Sequence, residues 1–493
     1  LSPKLSKSRF LAGLQCPLRL WYQCYNRNLA TPPDPMQQAL FDSGHQVGRL
    51  ATERYPGGIL IEEDYRHHEK AVKTTIHVME DGVAGAIFEA AYTEEGVRIR
   101  ADILERRPGR RWNLIEVKSS TKVKEEYLTD VAVQCHVLKR AGVDLERAYL
   151  MHIDRDYVFE GGRTDLQRFL MLEDLTDDAI RLQDFVQENL DELKNMLSMD
   201  HPPDINPSRH CHHPHTCEFW AHCTRNKPRY WILELPGIRQ ERFNALFAMG
   251  IHRIDEIPEA FPMTDLQQRS RDCIVESREY ISSSLGEVLS DVMYPVHFLD
   301  FETVMPAIPR YAGTRPYQTI PFQWSDHILQ PDDALAHNEF LFEEDRDPMP
   351  EFTRTLLDVL GRNGTIIIYT TYEQRILKDL AEQFSRYAEE LEALQNRFVD
   401  LCAVIKKHFY HPEFHGSFSL KSTLPAIVPE MDYNHLAIQE GGLASLEYLR
   451  MIDAETPERE KRRIRSNLLA YCAQDTLAMV RIREVLLEKA KTA

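Results

Sequence analysis

Apolar positions recur at helical spacing over residues 1–55, most clearly in SRFLAGLQCPLRLWYQCYNR, which predicts helices there. From 84 to 118 the pattern changes to alternation. AIFEAAY, VRIRADILE and WNLIEVKSS read as three strands. EEYLTDVAVQCHVLKRA returns to helical spacing over 125–141 and is ended by Gly142. AYLMHID reads as a further strand, and a helical segment follows over roughly 173–198. HPPDINPSRHCHHPHTC has no period and reads as a loop built around something. Residues 228–290 are helical in pattern. Within them LPGIRQERFNALFAMGIHRIDEIP holds two short helix patterns, each after a Gly-containing turn. YPVHFLDFETV, near 294, opens a strand-rich stretch that alternates strand and helix and closes in a helix. No internal repeat or low-complexity tract interrupts it.

The 493 residues exceed what one core usually serves. The pattern divides them into an α/β domain over 1–225, a helical connector over 226–291 and a second α/β domain over 292–493. The apolar share of 43% is ordinary for globular protein. No run of eighteen apolar residues predicts a membrane span. LSPKLSKSRF lacks the apolar stretch of a signal peptide, so a cytoplasmic protein is expected. The net charge is −18, with 59 Lys and Arg against 77 Asp and Glu, and there is no basic tail. That argues against a protein that coats DNA, but leaves room for an enzyme with a local basic groove and clustered acids. Nine cysteines, an odd count, argue against a disulfide framework.

Two features of the first domain carry chemistry. In WNLIEVKSS, Glu116 and Lys118 share a strand face. In VRIRADILE, Asp102 shares a face with Arg98 and Arg100, opposite Val97, Ile99 and Ile103. A hairpin would bring Asp102 beside Glu116, and a divalent cation would relieve their repulsion. Such an ion polarises a phosphate and lowers the pKa of a bound water, and a nearby lysine stabilises developing charge. The plainer alternative is a surface salt bridge on an edge strand. IRADILE, LIEVKSS and Gln134 in VAVQCHVLK together resemble the PD-(D/E)XK nucleases of the RecB family. The resemblance implies a restriction-endonuclease-like mixed sheet flanked by helices. It also implies Asp102 and Glu116 as ligands of Mg2+ or Mn2+, Lys118 as catalytic and Gln134 as a support. Glu89 is a candidate further acid or a solvated strand residue. Two positions depart from the family. Gly48 stands where relatives carry a motif histidine, with His45 offset from it. Leu138 stands where they carry a tyrosine. Both departures imply an altered metal site.

The second feature is CHHPHTCEFWAHC, with five residues between successive cysteines. Cys211, Cys217 and Cys223 with the distant Cys16 make a tetrathiolate set, suited to iron–sulfur or zinc. His210, His212, His213 and His215 offer imidazole alternatives for zinc. An N-terminal Cys-Pro with a cysteine trio after the nuclease core resembles the iron–sulfur branch of the RecB-like nucleases, which includes the CRISPR-associated exonuclease and the AddB nuclease. The resemblance implies a [4Fe-4S] cluster on Cys16, Cys211, Cys217 and Cys223 that staples the two ends of the domain. Cys24 is then a helix core residue.

In the last domain, HFLDFETV puts Asp300 and Glu302 on one face of an apolar strand. YCAQDTLAM puts Tyr471 and Asp475 four apart on one helix face. TIIIYTTYEQRILKDLA, between them, is a buried strand running into a helix that opens near Glu373. Four carboxylates can hold two divalent ions. The set resembles the DEDD exonucleases of the tyrosine-bearing subgroup, which implies an RNase H-like fold and 3′–5′ cleavage. It implies Asp300, Glu302, Glu373 and Asp475 as metal ligands and Tyr471 as the residue that positions water. The family has an Asp where Thr370-Thr371-Tyr372-Glu373 stands here, and Asp400 is the alternative third acid. Lys421, in SLKSTLPAI, is a phosphate contact or a solvated lysine.

LPGI followed by GIHRIDEIP resembles helix-hairpin-helix motifs, with a plain helical spacer as the alternative. Taken whole, the chain resembles bacterial RecB-like fusion nucleases. The resemblance implies metal-dependent hydrolysis of DNA, single-stranded by preference, in repair or in defence against foreign DNA. No helicase motor motif is present, so unwinding would fall to a helicase partner. Three rival readings remain open. One is a single active DEDD exonuclease on RNA or DNA, with the RecB-like half as a binding platform. Another is a non-catalytic nucleic-acid-binding subunit of a larger machine. The last is a zinc-stabilised RNA-processing enzyme.

Overall fold

The computed structural model describes residues 4–492. The chain is an α/β protein of two compact units, each a mixed sheet flanked by helices. One unit comprises Leu1–Asn226 with Pro306–Gln318, and the other Lys227–Met305 with Thr319–Ala493. From Lys227 onward the connector pattern over 226–291 thus belongs to the second unit.

The first unit is built on a seven-stranded sheet. Its strands are β1 (Leu5–Ser6), β2 (Ile59–Leu60), β3 (Ala86–Glu94), β4 (Val97–Arg106), β5 (Trp112–Lys118), β6 (Leu145–Ile153) and β7 (Leu170–Asp174). The order is β2-β3-β4-β5-β6-β7, with β1 paired to β4. Glu95 and Gly96 both adopt positive φ between β3 and β4, the two-residue turn that suits strand twist. β5 runs antiparallel to β4 and parallel to β6. Its first five residues are buried, as a central strand covered on both faces requires. Val131, Leu138, Val186 and Leu190 belong to a core that includes Leu104 and Leu114. Val47, Ala51, Ile103, Ile115 and Ala307 belong to a second core.

Two helices precede this sheet's main strands: α1 (Lys7–Gln15) and α2 (Pro17–Tyr25). The Ser6 hydroxyl caps α1 by accepting from the Arg9 amide, and Pro17 occupies the first position of α2, where no amide is needed. Cys16 stands between them in extended conformation. The helix Glu125–Arg140 carries acids in its first turn and Lys139 and Arg140 in its last, matching its dipole.

The helical reading of 173–198 holds for Thr176–Arg181 and Gln183–Leu197. Its first two residues instead end β7, which pairs antiparallel with β6. Ladder hydrogen bonds override a pattern that is mostly exposed on this edge. The two patterns between 235 and 258 also differ from each other. One is the helix Gln240–Ala248, while GIHRIDEIP makes only a single 3-10 turn, Ile254–Glu256.

The second unit holds the short pair β8 (Tyr280–Ile281) and β14 (Phe409–Tyr410). Its main sheet has five strands: β9 (Val296–Val304), β10 (Ile320–Leu329), β11 (Leu335–Leu341), β12 (Thr365–Ile368) and β13 (Phe398–Asp400). The order is β11-β10-β9-β12-β13. β9, β10 and β11 form an antiparallel meander, whereas β12 and β13 run parallel to β9. The 35-residue helix Glu458–Thr492 packs on β9 and β10: its Leu468 carbonyl accepts from the Gln323 amide, and its Thr476 hydroxyl bonds Ser325. Among the described residues, no helix is long and apolar enough to cross a membrane.

Candidate active sites

In the first unit the hairpin brings Asp102 beside Glu116, because Ile103 pairs with Ile115. Asp102 Oδ2 accepts from the Val117 amide at 2.7 Å. Lys118 Nζ donates to Glu116 Oε1 at 2.7 Å, and the Gln134 amide donates to Glu116 Oε2 at 2.7 Å. The four residues singled out in the sequence therefore meet. Glu89 does not join them: it pairs with Arg100 at 2.9 Å. His45 is exposed on the helix Pro35–Thr52, a side chain at Gly48 would meet open space, and Leu138 is core.

Two further residues complete this site. Lys7, at the start of α1, reaches Glu116 Oε1 at 2.8 Å and Asp130 Oδ1 at 3.3 Å. Asp130 takes the Lys118 ammonium at 2.6 Å. The sequence held a signal for Asp130, which lies one helical turn before Gln134 on the same buried face. It held none for Lys7, which is 109 positions from Glu116. Glu116 and Asp130 thus form a closed ring of ion pairs with Lys7 and Lys118, and Asp102 lies beside it on the Val117 amide. Burial opposes ionisation of Glu116, but Lys7 and Lys118 hold its carboxyl well below the usual range. Burial and the neighbouring Glu116 push Asp102 up to about 7. The oxygens of Glu116 are all engaged, so a divalent ion could take Oε1 only if Lys7 gave way. In an Asp300→Asn background, Lys7→Met is expected to tighten Mn2+ binding here about tenfold and to cost the metal-free fold about 3 kcal/mol. Manganese titration followed by electron paramagnetic resonance, with thermal melts, checks both.

The second acid set lies in the other unit. Asp300, Glu302 and Asp475 place carboxylate oxygens within 4.8 Å of one another. Asp300 and Glu302 alternate along β9 to the face covered by the long helix, where Tyr471 and Asp475 lie one turn apart and are both buried. Glu373 opens the helix Tyr372–Gln383 after β12 and is buried, and its Oε2 finds no hydrogen-bond partner among the described residues. Asp400 caps the helix Leu401–His408: its Oδ1 accepts from the Ala403 amide at 2.8 Å. Between the two candidates, Glu373 holds the unengaged oxygen. Sequence reasoning missed Tyr433, whose hydroxyl donates to Asp475 Oδ1 at 2.5 Å. It also missed Cys472, whose thiol lies 3.5 Å from Asp300 Oδ2. Lys421 Nζ donates to the Tyr471 hydroxyl at 3.1 Å.

Crowded carboxylates resist ionisation. Burial and then Asp475, Glu373 and Glu302 push Asp300 well above the ordinary range. Burial and Asp475 do the same for Glu302. Glu373 rises to about 8, from burial and then Asp400 and Asp475. Burial takes Asp475 up only to about 6, since Tyr433 and Lys421 restrain it. These groups bind protons more tightly folded than unfolded. For Asp475 and Glu373 the stabilising contribution is full below about pH 4 and is lost as pH rises through about 6 and about 8, and Asp300 and Glu302 act in the same direction. Melting temperature in a chelator is expected to fall over that window. Added Mn2+ should flatten the fall, because bound cations replace the protons.

The four cysteines singled out in the sequence line one pocket. Cys16, Cys211, Cys217 and Cys223 face it, with Arg19, Tyr22, His210 and Trp220. All are free thiols. Burial and then the neighbouring Cys211 and Cys16 push the Cys223 thiol up to about 11. Burial takes Cys217 up to about 12. Gln15 ties the end of α1 to this loop, donating to the His210 and His215 carbonyls at 2.9 and 2.8 Å. His210 lies 3.5 Å from the Cys211 sulfur, whereas His212 packs edge-on against Trp220. Cys24 stands apart, packed against the main core.

The profile of a family described as "Domain of unknown function (DUF2779)" matches residues 297–419. That stretch includes Asp300, Glu302, Glu373 and Asp400 and stops before Lys421, Tyr471 and Asp475. No curated protein matches the chain.

Proposed function

We propose that this chain is a metal-dependent nuclease whose principal site is the four-carboxylate set of the second unit. The observation that carries the reading is the clustering of Asp300, Glu302 and Asp475 within 4.8 Å, with an unengaged buried oxygen on Glu373. Burying mutually repelling carboxylates is costly unless cations meet them. The donor set is all oxygen, which suits Mg2+ or Mn2+. Asp300, Glu302, Glu373 and Asp475 would hold two such ions, which when bound activate a water and stabilise a leaving oxygen. Tyr471 lies beside Asp475 and would orient the attacking water. The antiparallel meander followed by two strands parallel to the first agrees with the RNase H-like architecture that the DEDD resemblance implies.

The substrate is single-stranded nucleic acid, DNA by preference, cut 3′ to 5′, in repair or in defence against foreign DNA, with a helicase as the partner that supplies single strands. The first unit agrees with a RecB-like PD-(D/E)XK domain in its Asp102, Glu116, Lys118 and Gln134 contacts. A [4Fe-4S] cluster on Cys16, Cys211, Cys217 and Cys223 would staple its ends. Its fit rests on the donor chemistry, four free thiols around one pocket. The resemblance to the iron–sulfur branch of the RecB-like nucleases is what favours a cluster over zinc.

One observation favours a second reading, in which the RecB-like half binds rather than cuts: Lys7 stands on the acids that a metal would need. Single-stranded DNA and RNA, labelled separately at each end, test both readings in Mn2+. If both sites cut, Lys118→Ala and Asp475→Ala each remove a different product set. If Asp475→Ala removes all products and Lys118→Ala none, the first unit is a platform. If neither variant changes anything, the nuclease reading fails.

A further inference from the structure

The motif SLKSTLPAI enters the second site through one side chain. Lys421 lies in the first turn of the helix Leu420–Ile427 and is half-buried. Its ammonium donates to the Tyr471 hydroxyl at 3.1 Å and sits 5.2 and 5.5 Å from the ring centroids of Tyr471 and Tyr433. It forms no ion pair among the described residues. A lysine with only a surface role would extend into water, where its ammonium is best hydrated. This one instead reaches inward to the tyrosine of the acid set and leaves donors unengaged. Its charge is felt at Glu302 and Asp475, the carboxyls of which it draws downward.

Charge balance says what the ammonium is for. Four carboxylates with two divalent ions are neutral, and a phosphodiester then brings one negative charge into a buried site. Lys421 is the cation that restores neutrality. We propose that Lys421 is a catalytic residue of this site, the cation that contacts the phosphate being cut; this rests on the nuclease reading. In the reaction the oxygen of water joins phosphorus, the P–O3′ bond breaks, and a 3′-hydroxyl and a 5′-phosphate result. One proton of the water ends on the 3′ oxygen and the other passes to solvent. Lys421 exchanges no bond. It meets a non-bridging oxygen, whose negative charge grows in the transition state. A purely structural lysine, clamped between two aromatic rings, would have no such role.

The test compares wild type with Lys421→Met, which keeps the apolar stem, and Lys421→Arg. It reads Mn2+ affinity, binding of thymidine 5′-monophosphate to the Mn2+-loaded protein by calorimetry, and single-turnover cleavage of single-stranded DNA. Lys421→Met is expected not to weaken Mn2+ affinity, but to weaken nucleotide binding about tenfold and to slow cleavage about 100-fold. Lys421→Arg should recover most of both. Unchanged nucleotide binding and rate in Lys421→Met, or losses that track lost Mn2+ affinity, would overturn the proposal. If wild type cuts nothing but binds the nucleotide in a Lys421-dependent way, the phosphate contact stands and the nuclease reading falls. If wild type neither cuts nor binds the nucleotide, both fall.

Discussion

Asp300→Asn is expected to lower Mn2+-dependent release of 3′-terminal nucleotides by about 1000-fold or more, and to raise the melting temperature of the metal-free protein. Both effects come from one cause. Asp300 lies on β9 with its carboxylate beside those of Glu302 and Asp475. Its charge is raised in cost by burial and by all three of the other acids. Asparagine keeps the shape and removes the charge. Without cations the repulsion is relieved and the fold gains. With cations, a ligand is lost and the water they would activate is misplaced. A merely structural acid would give the opposite pairing, a loss of stability with little change in rate. Single-turnover cleavage and melts in chelator, on the same preparation, separate the two.

Cys217→Ser should have the second largest effect. Cys217 is buried against Phe219 and faces the pocket shared with Cys16. A cluster on these thiols would cross-link positions roughly 200 residues apart, and closing a loop of that length is worth about 5 kcal/mol. The variant is expected to lose its brown colour and iron together and to melt about 10 °C lower. α1 begins at Lys7 in the acid network and ends beside Cys16, so loosening its end should also weaken the Lys7 contact. Stoichiometric zinc without iron in anaerobically purified wild type would contradict the cluster. An unchanged melting temperature in colourless Cys217→Ser would contradict its stapling role.

The parts legible in the sequence were those with a local period. Alternation placed Asp102, Glu116 and Lys118 on shared strand faces, and a helical turn placed Tyr471 with Asp475. The pairing of Ile103 with Ile115 then set Asp102 against Glu116, as a hairpin of two apolar strands would. Lys7 was not legible, because nothing in LSKSRF announces that its ammonium will reach acids on β5 and on the helix Glu125–Arg140. Tyr433 was hidden for the same reason: it stands in an irregular stretch, 42 positions from the Asp475 that it binds. The choice between Glu373 and Asp400 needed hydrogen bonds. Asp400 caps a helix, whereas Glu373 keeps an oxygen free. The strand Leu170–Asp174 was obscured because edge strands are decided by their neighbour's ladder more than by their own pattern.

The claim on which the rest depends is that Asp300, Glu302, Glu373 and Asp475 hold divalent ions. Anomalous diffraction from crystals soaked in Mn2+ tests it without assuming any substrate. Two manganese peaks are expected among these four carboxylates, with Tyr471 and Lys421 beside them. Soaked crystals with no peak there, or with manganese only at Asp102 and Glu116, would contradict it.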